Sequence, residues 1–116
     1  MDMLREHELL INKLDNIMSK VDKQNDLISI LEETKCLVLH PENNFAWSWP
    51  DCNTAINELD RAIEQIRAHD YSCSQNLSLI FAPTGNLQEL AISSGWHDIY
   101  MELSSRFDEV IKSFGE

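Results

Sequence analysis

The four histidines and the scattered acids are the residues in this chain that could bind a metal. A di-iron site in a helical bundle needs the pattern Glu-x-x-His, which places both ligands on one helix face. None of the residues three positions before the histidines is an acid: they are Leu4, Leu37, Ile66 and Ser94. Cys36 and His40 are spaced for one helical face, but two ligands do not make a site. The sequence therefore predicts no metal site.

Magnesium-dependent hydrolysis by paired glutamates on adjacent helices is a second possible chemistry. Glu32 and Glu33 suggest it, but the third acid of a Glu-Glu-x-x-Glu pattern would fall at Cys36. Asp60 and Glu64 offer further carboxylates, although a like-charge pair four residues apart is more typical of a solvated helix face. A carboxylate-metal hydrolase is therefore the least favoured alternative.

Nucleophilic catalysis and phosphate binding find no motif in this chain. No serine or cysteine lies in a nucleophile-elbow sequence, and Thr84-Gly85 lacks the further glycines and the lysine of a phosphate loop. No lysine or arginine lies between Arg67 and Arg106, so this stretch of the chain lacks a cation to bind phosphate. We therefore expect a protein that is not an enzyme and that binds no cofactor.

Acidic residues outnumber basic residues by 20 to 9, so the formal net charge is −11. This balance argues against nucleic acid or an anionic membrane as the primary partner, because both are negatively charged. The acids are clustered, since residues 36–60 and 68–105 contain no lysine or arginine. The first cluster is Glu42, Asp51, Glu58 and Asp60, and the second is Asp70, Glu89, Asp98 and Glu102. A basic protein is therefore the expected partner.

Aromatic residues accompany both acidic stretches: Phe45, Trp47 and Trp49 in the first, and Tyr71, Phe81, Trp96 and Tyr100 in the second. Exposed rings would supply anchor area, and carboxylates would accelerate encounter with a basic protein. The candidate partner-binding residues are Glu42, Phe45, Trp47, Trp49, Asp51, Glu58 and Asp60. The alternative, which is favoured for Trp47 and Trp49 taken singly, is that these rings close the end of the core. Trp96 and Tyr100 are expected in the core.

The first segment, residues 3–39, must supply one or two helices. An apolar seam steps alternately by four and three residues through Met3, His7, Leu10, Leu14, Ile17, Val21, Gln24, Ile28 and Leu31. Residues 22–26 contain no apolar side chain, and Asn25 or Asp26 is suited to cap a new helix. We expect either one long helix or two helices split near 22–26, with the split favoured because the segment exceeds the usual helix length.

The rest of the chain also reads as helical. Pro41 ends the first segment, and a periodic helix follows over about 49–69, with Ser48 as its expected start. Residues 71–82 fit either a strand or a short helix, and the helix is preferred because a lone strand would have no partner. The pattern then predicts a turn at 82–86, a short helix ended by Gly95 and a last helix over about 96–114. The expected apolar face of this last helix is Trp96, Ile99, Tyr100, Leu103, Phe107, Val110, Ile111 and Phe114.

These observations predict one all-α domain over residues 1–116, a compact bundle of four to six helices. Three cysteines in no zinc-binding pattern, with no apparent secretion signal, suggest reduced thiols in the cytoplasm. The expected function is a small acidic protein-binding module, most concretely an immunity- or antitoxin-type inhibitor of a basic, nuclease-like toxin. The alternative is a self-associating structural or regulatory protein, for instance a homodimer that pairs through the seam.

Overall fold

The computed structural model describes residues 22–46, 48–112 and 114, and the regular secondary structure in this part of the chain is α-helix alone, with no strand. The predicted all-α bundle is therefore confirmed. We number the helices in chain order. They are α1 (22–38), α2 (Cys52–Arg67), α3 (Ser74–Phe81), α4 (Asn86–Ser94) and α5 (His97–Ile111).

Residues 22–26, where a split of the first segment was favoured over one long helix, are helical and belong to α1. Asn25 and Asp26 both lie inside the helix, so their expected role as caps is wrong. Packing explains this, because a buried face begins at once with Leu27 and outweighs the weak helix propensity of Asn and Asp. That face comprises Leu27, Ile30, Leu31, Thr34 and Val38, whereas Gln24 and Ile28 of the expected seam are half-buried. The seam positions before residue 22 lie outside the described residues.

Helix α2 begins three residues later than Ser48, the expected start. Asp51 is the N-cap, and its Oδ1 accepts hydrogen bonds from the backbone N–H and the hydroxyl of Thr54, both at 2.8 Å. The predicted stripe is confirmed at Ala55, Leu59, Ala62, Ile63 and Ile66, which are all buried, while Ile56 is half-buried. Asp51 is therefore a structural residue, because it satisfies donors that a helix start leaves free.

Removing the Asp51 cap is expected to destabilise the protein in a pH-dependent way. The hydrogen bonds from Thr54 hold the pKa of Asp51 below its usual value. Its contribution is therefore complete above the ordinary aspartate pKa of about 3.9 and is lost as pH falls through the lower folded pKa. Asp51→Ala should lower the melting temperature at neutral pH, with a difference from the native protein that shrinks in acid. Asp51→Asn, which keeps a cap oxygen, is the control and should cost less at neutral pH.

The ambiguous segment 71–82 contains the short helix α3, as expected. A turn follows, closed by a 2.9 Å hydrogen bond from the Gly85 N–H to the Ala82 carbonyl. A side chain at Gly85 would place its Cβ among the carbonyl oxygens of Leu79, Ile80 and Ala82, so glycine is required there. Gly95 ends α4 in the left-handed conformation with φ of 86°, which confirms the predicted terminator.

Helix α5 packs against α3 and α4 and completes the core. The rings of Phe81 and Phe107 stack with centroids 4.2 Å apart, and the Tyr100 hydroxyl donates a 2.7 Å hydrogen bond to the Phe81 carbonyl. Leu103 is buried beside them, as predicted. Ile99, however, is 46% exposed, so its assignment to the core is wrong. The buried face of α5 centres on Tyr100, Leu103 and Phe107, and Ile99 lies at its edge.

Candidate functional site

Trp49, expected either on a binding surface or in the core, lies in the core. Only 1% of its surface is exposed, and its indole N–H donates a 2.8 Å hydrogen bond to Glu58 Oε2. A buried indole needs such a partner for its polar end. The structure thus brings two of the predicted binding residues together, but as an internal contact between the loop and α2. Trp49 is removed from the predicted surface, and one oxygen of Glu58 is already engaged.

Asp60 is also engaged within the protein, by a cation from α1. The Lys35 ammonium lies 2.5 Å from Asp60 Oδ1 and 3.7 Å from Glu32 Oε2. The hydrogen bond to Asp60, followed by the charges of Asp60 and Glu32, raises the pKa of Lys35 against a smaller opposing effect of burial. Residues 36–60 contain no cation of their own, so nothing in the local sequence indicated this pairing.

Among the remaining residues of the predicted site, those that the structure describes present no fully exposed ring. Phe45 is half-buried and packs against the core, Glu42 is exposed, and Trp47 lies outside the described residues. Asn43 fixes this loop: its amide donates to the carbonyls of Leu37 (2.7 Å) and Val38 (3.0 Å), and its Oδ1 accepts from the Trp96 indole at 2.9 Å. The position of Asn43 after a helix end is typical of a residue that binds free carbonyls, and this was the signal available in the sequence.

Ion pairs link α1 to α2 and α5, and three basic side chains take part in them. Arg67 of α2 approaches Glu32 at 3.8 Å, and Arg106 of α5 contacts Glu33 at 2.8 Å. With Lys35, these contacts direct the two adjacent glutamates of α1 toward different helices. Glu32 and Glu33 are therefore engaged by cations and do not converge as a metal-binding pair would.

The three helices α3, α4 and α5 form a unit with little positive charge. Residues 68–105 contain no lysine or arginine, and Arg106, the first cation after them, is paired with Glu33. The aromatic rings of this unit face inward: Phe81 and Tyr100 are buried, and Trp96 is half-buried. Aliphatic side chains are exposed instead. Of the five large apolar side chains exposed in the described part of the chain, four belong to this unit: Leu79, Ile92, Ile99 and Met101.

A groove of about 300 Å³ runs between α1 and α5. Its lining is Glu33, Cys36, Leu37, Ile99, Glu102, Leu103 and Arg106. Glu33 of α1 contacts Arg106 of α5 at 2.8 Å within the groove, and Leu37, one turn later on α1, lines it together with Ile99 of α5. Glu102 forms no ion pair within the described residues, in contrast to Glu33. The groove thus has an apolar floor, the Glu33–Arg106 ion pair, and the Glu102 carboxylate, which no cation of the described residues contacts.

A second, polar pocket of about 290 Å³ lies between α2 and α3. It is lined by Glu58, Arg61, Ala62, Gln65, Ser72, Cys73 and Asn76. Burial raises the pKa of the Cys73 thiol, which therefore stays protonated at neutral pH and is a poor nucleophile. Cys36, Cys52 and Cys73 are all free thiols. This pocket supplies hydrogen-bonding groups but no activated nucleophile.

Within residues 22–46, 48–112 and 114, no three His, Cys, Asp or Glu side chains are grouped so that they could hold a metal ion. No helix in the same part of the chain has both the length and the apolar content needed to cross a membrane. Comparison of the chain with models of protein families, with curated proteins and with solved structures finds no match.

Proposed function

We propose that this chain is an acidic protein-binding module that acts by occupying a basic surface of another protein. One observation carries the proposal: α3, α4 and the first two turns of α5 combine unpaired carboxylates with most of the exposed aliphatic side chains in the described part. The binding surface is thus moved from the loop around Trp49 to these helices.

The two kinds of side chain have different roles in binding. Carboxylates such as Asp98 and Glu102 attract a cationic partner over distance and repel acidic competitors. Exposed aliphatic groups such as Leu79 and Ile92 supply apolar area that association removes from water. No cation on these helices opposes the attraction, because Arg106 is held by Glu33.

An immunity- or antitoxin-type inhibitor is the most concrete form of this proposal. A nuclease binds a polyanion, so its substrate groove must be rich in lysine and arginine. An acidic helical protein that fills this groove blocks it by charge and by bulk, with no bond made or broken. The argument is one of physical class, since small size, high negative charge and an acidic helical surface suit this role.

The test is to isolate the natural partner and to measure how association depends on salt. The tagged chain is purified from its producing cells, the co-purifying protein is identified, and the complex is reconstituted from pure components. We expect a basic partner whose association rate falls more than ~10-fold between low and high ionic strength. An acidic partner, or a rate that does not change with salt, would contradict the proposal.

Matched charge reversals test whether the carboxylates of the α3–α5 unit are responsible for fast association with the basic partner. Asp98→Lys combined with Glu102→Lys is expected to slow association strongly. Asp26→Lys combined with Glu64→Lys changes the net charge equally on α1 and α2 and is expected to have a smaller effect. Equal effects of the two pairs would show that net charge alone governs binding, and the assigned surface would then be wrong.

Self-association through the same apolar groups is the second candidate function. The exposure of Leu79, Ile92, Ile99 and Met101 favours it, because such groups often mark interfaces. Two identical copies would, however, bring their unpaired carboxylates together, and this repulsion favours a basic partner instead. Light scattering distinguishes the two: a dimer that tightens with added salt would support self-association.

A further inference from the structure

The groove between α1 and α5 is an apolar concavity that Glu102 of the acidic unit borders. Its floor consists of Leu37, Leu103 and the exposed part of Ile99. At about 300 Å³, it is at the lower end of the volumes typical of ligand pockets, so it has room for a few side chains only. Such a groove between two helices suits one face of a third helix, whose apolar side chains recur every three or four residues.

Charge identifies the kind of helix that would fit. Glu33 at one edge is neutralised by Arg106 at 2.8 Å, whereas Glu102 has no counter-ion within the described residues. Asp98 lies one turn before Glu102 on α5 and is also exposed and without an ion pair there. Glu102 thus lines the groove, and Asp98 lies one turn away on the same helix, so that lysine or arginine of an occupant would find partners there.

We propose that this groove binds an amphipathic helix of the basic partner, with its apolar face on Leu37, Ile99 and Leu103 and its cations beside Asp98 and Glu102. This inference rests on the function proposed above and names the part of the partner that is recognised. An acidic helix would place its carboxylates against Asp98 and Glu102, so the groove selects a basic one.

Cys36 provides a direct reporter of occupancy. It lines the groove and is an exposed free thiol, whereas Cys52 and Cys73 are half-buried elsewhere. The probe is a synthetic peptide with leucine at helical spacing and lysine at the other positions. In one control peptide, the lysines are replaced by glutamate. In the other, the same residues are shuffled so that the apolar stripe is broken. Alkylation of each cysteine in the full chain is followed by mass spectrometry.

The basic amphipathic peptide should protect Cys36 from alkylation by about 10-fold when present at ~10 times its Kd, as mass action requires. The alkylation rates of Cys52 and Cys73 should not change, and the control peptides should protect Cys36 weakly or not at all. Glu102→Lys should weaken peptide binding by about 10-fold, since it sets like charges together. Glu64→Lys, an equal charge change on α2, should have little effect. Ile99→Ser tests the apolar floor at a half-exposed position and should also weaken binding.

Each result separates this inference from the proposed function. The peptide could bind in a salt-dependent way yet leave Cys36 unprotected, with Glu102→Lys and Glu64→Lys weakening binding equally. This result would overturn the assignment of the groove as the binding site, while the proposed acidic binding module would stand. An absence of peptide binding would also overturn that assignment, and the natural partner would then decide the function separately. If Cys36 is alkylated slowly in the free chain, the groove is already covered. An alkylation rate that rises on dilution would indicate that a second copy covers it, and a rate that does not change on dilution would indicate another segment of the same chain.

Discussion

Replacing Phe107 with alanine is expected to lower the free energy of unfolding by about 3–5 kcal/mol, the usual cost of removing a buried aromatic ring. Phe107 is fully buried and stacks on Phe81 with the two rings nearly parallel. The lost ring would leave a cavity between α5 and α3 that neighbouring backbone cannot fill. Urea denaturation followed by circular dichroism measures the effect.

The control for Phe107 is Leu79→Ala on α3. Leu79 is 69% exposed, so its truncation removes little buried area and should change the stability by about 0.5 kcal/mol or less. A loss at Phe107 no larger than that at Leu79 would show that the Phe81–Phe107 stack does not hold the α3–α5 unit together. The helices that carry the proposed acidic and apolar surface would then not be held in fixed positions by this contact.

Replacing Trp49 with alanine should also lower the free energy of unfolding by about 3–5 kcal/mol. The indole is buried against the core and hydrogen-bonded to Glu58 at 2.8 Å, so the variant loses packing and leaves a carboxylate without its donor. Trp49→Phe keeps most of the ring and removes the donor. It should cost about 1–3 kcal/mol, the range for a hydrogen bond to a charged group or its unmade partner.

Trp49 also tests the proposed location of the binding surface on α3, α4 and α5. Because the ring is inside the molecule, Trp49→Phe should reduce stability but leave the association rate with the basic partner close to that of the native protein. Both quantities are measured on the same preparation, at a temperature where the variant is folded. A large loss of association with little loss of stability would return Trp49 to the partner surface.

The helices were predictable wherever apolar residues recur at one spacing over several turns. Helix α2 is the clearest case, since Ala55, Leu59, Ala62, Ile63 and Ile66 form one stripe and all are buried. Gly95 was predictable for a different local reason, because a left-handed residue favours glycine. The cap expected at Asn25 or Asp26 was wrongly predicted, since local capping preference was outweighed by the packing of α1 against the core.

The candidate site was less predictable than the helices that form it. Acid clusters and rings were visible in the sequence, but their exposure was not. Trp49 and Tyr100 are both large amphipathic rings in acidic stretches, and both are buried with their polar atoms satisfied. Ile99, placed in the core by periodicity, lines the groove instead, because it lies at the edge of the α5 face that α3 and α4 cover.

The sequence by itself determined the helical class, most helix ends and the absence of cations from 68–105, since these depend on residues near one another in the chain. Only the tertiary structure decided which carboxylates are free. Asp60 is neutralised by Lys35 and Glu33 by Arg106, whereas Asp98 and Glu102 have no such partner within the described residues. The reason is physical: an ion pair depends on distance in space, and that distance is set by which helices pack side by side.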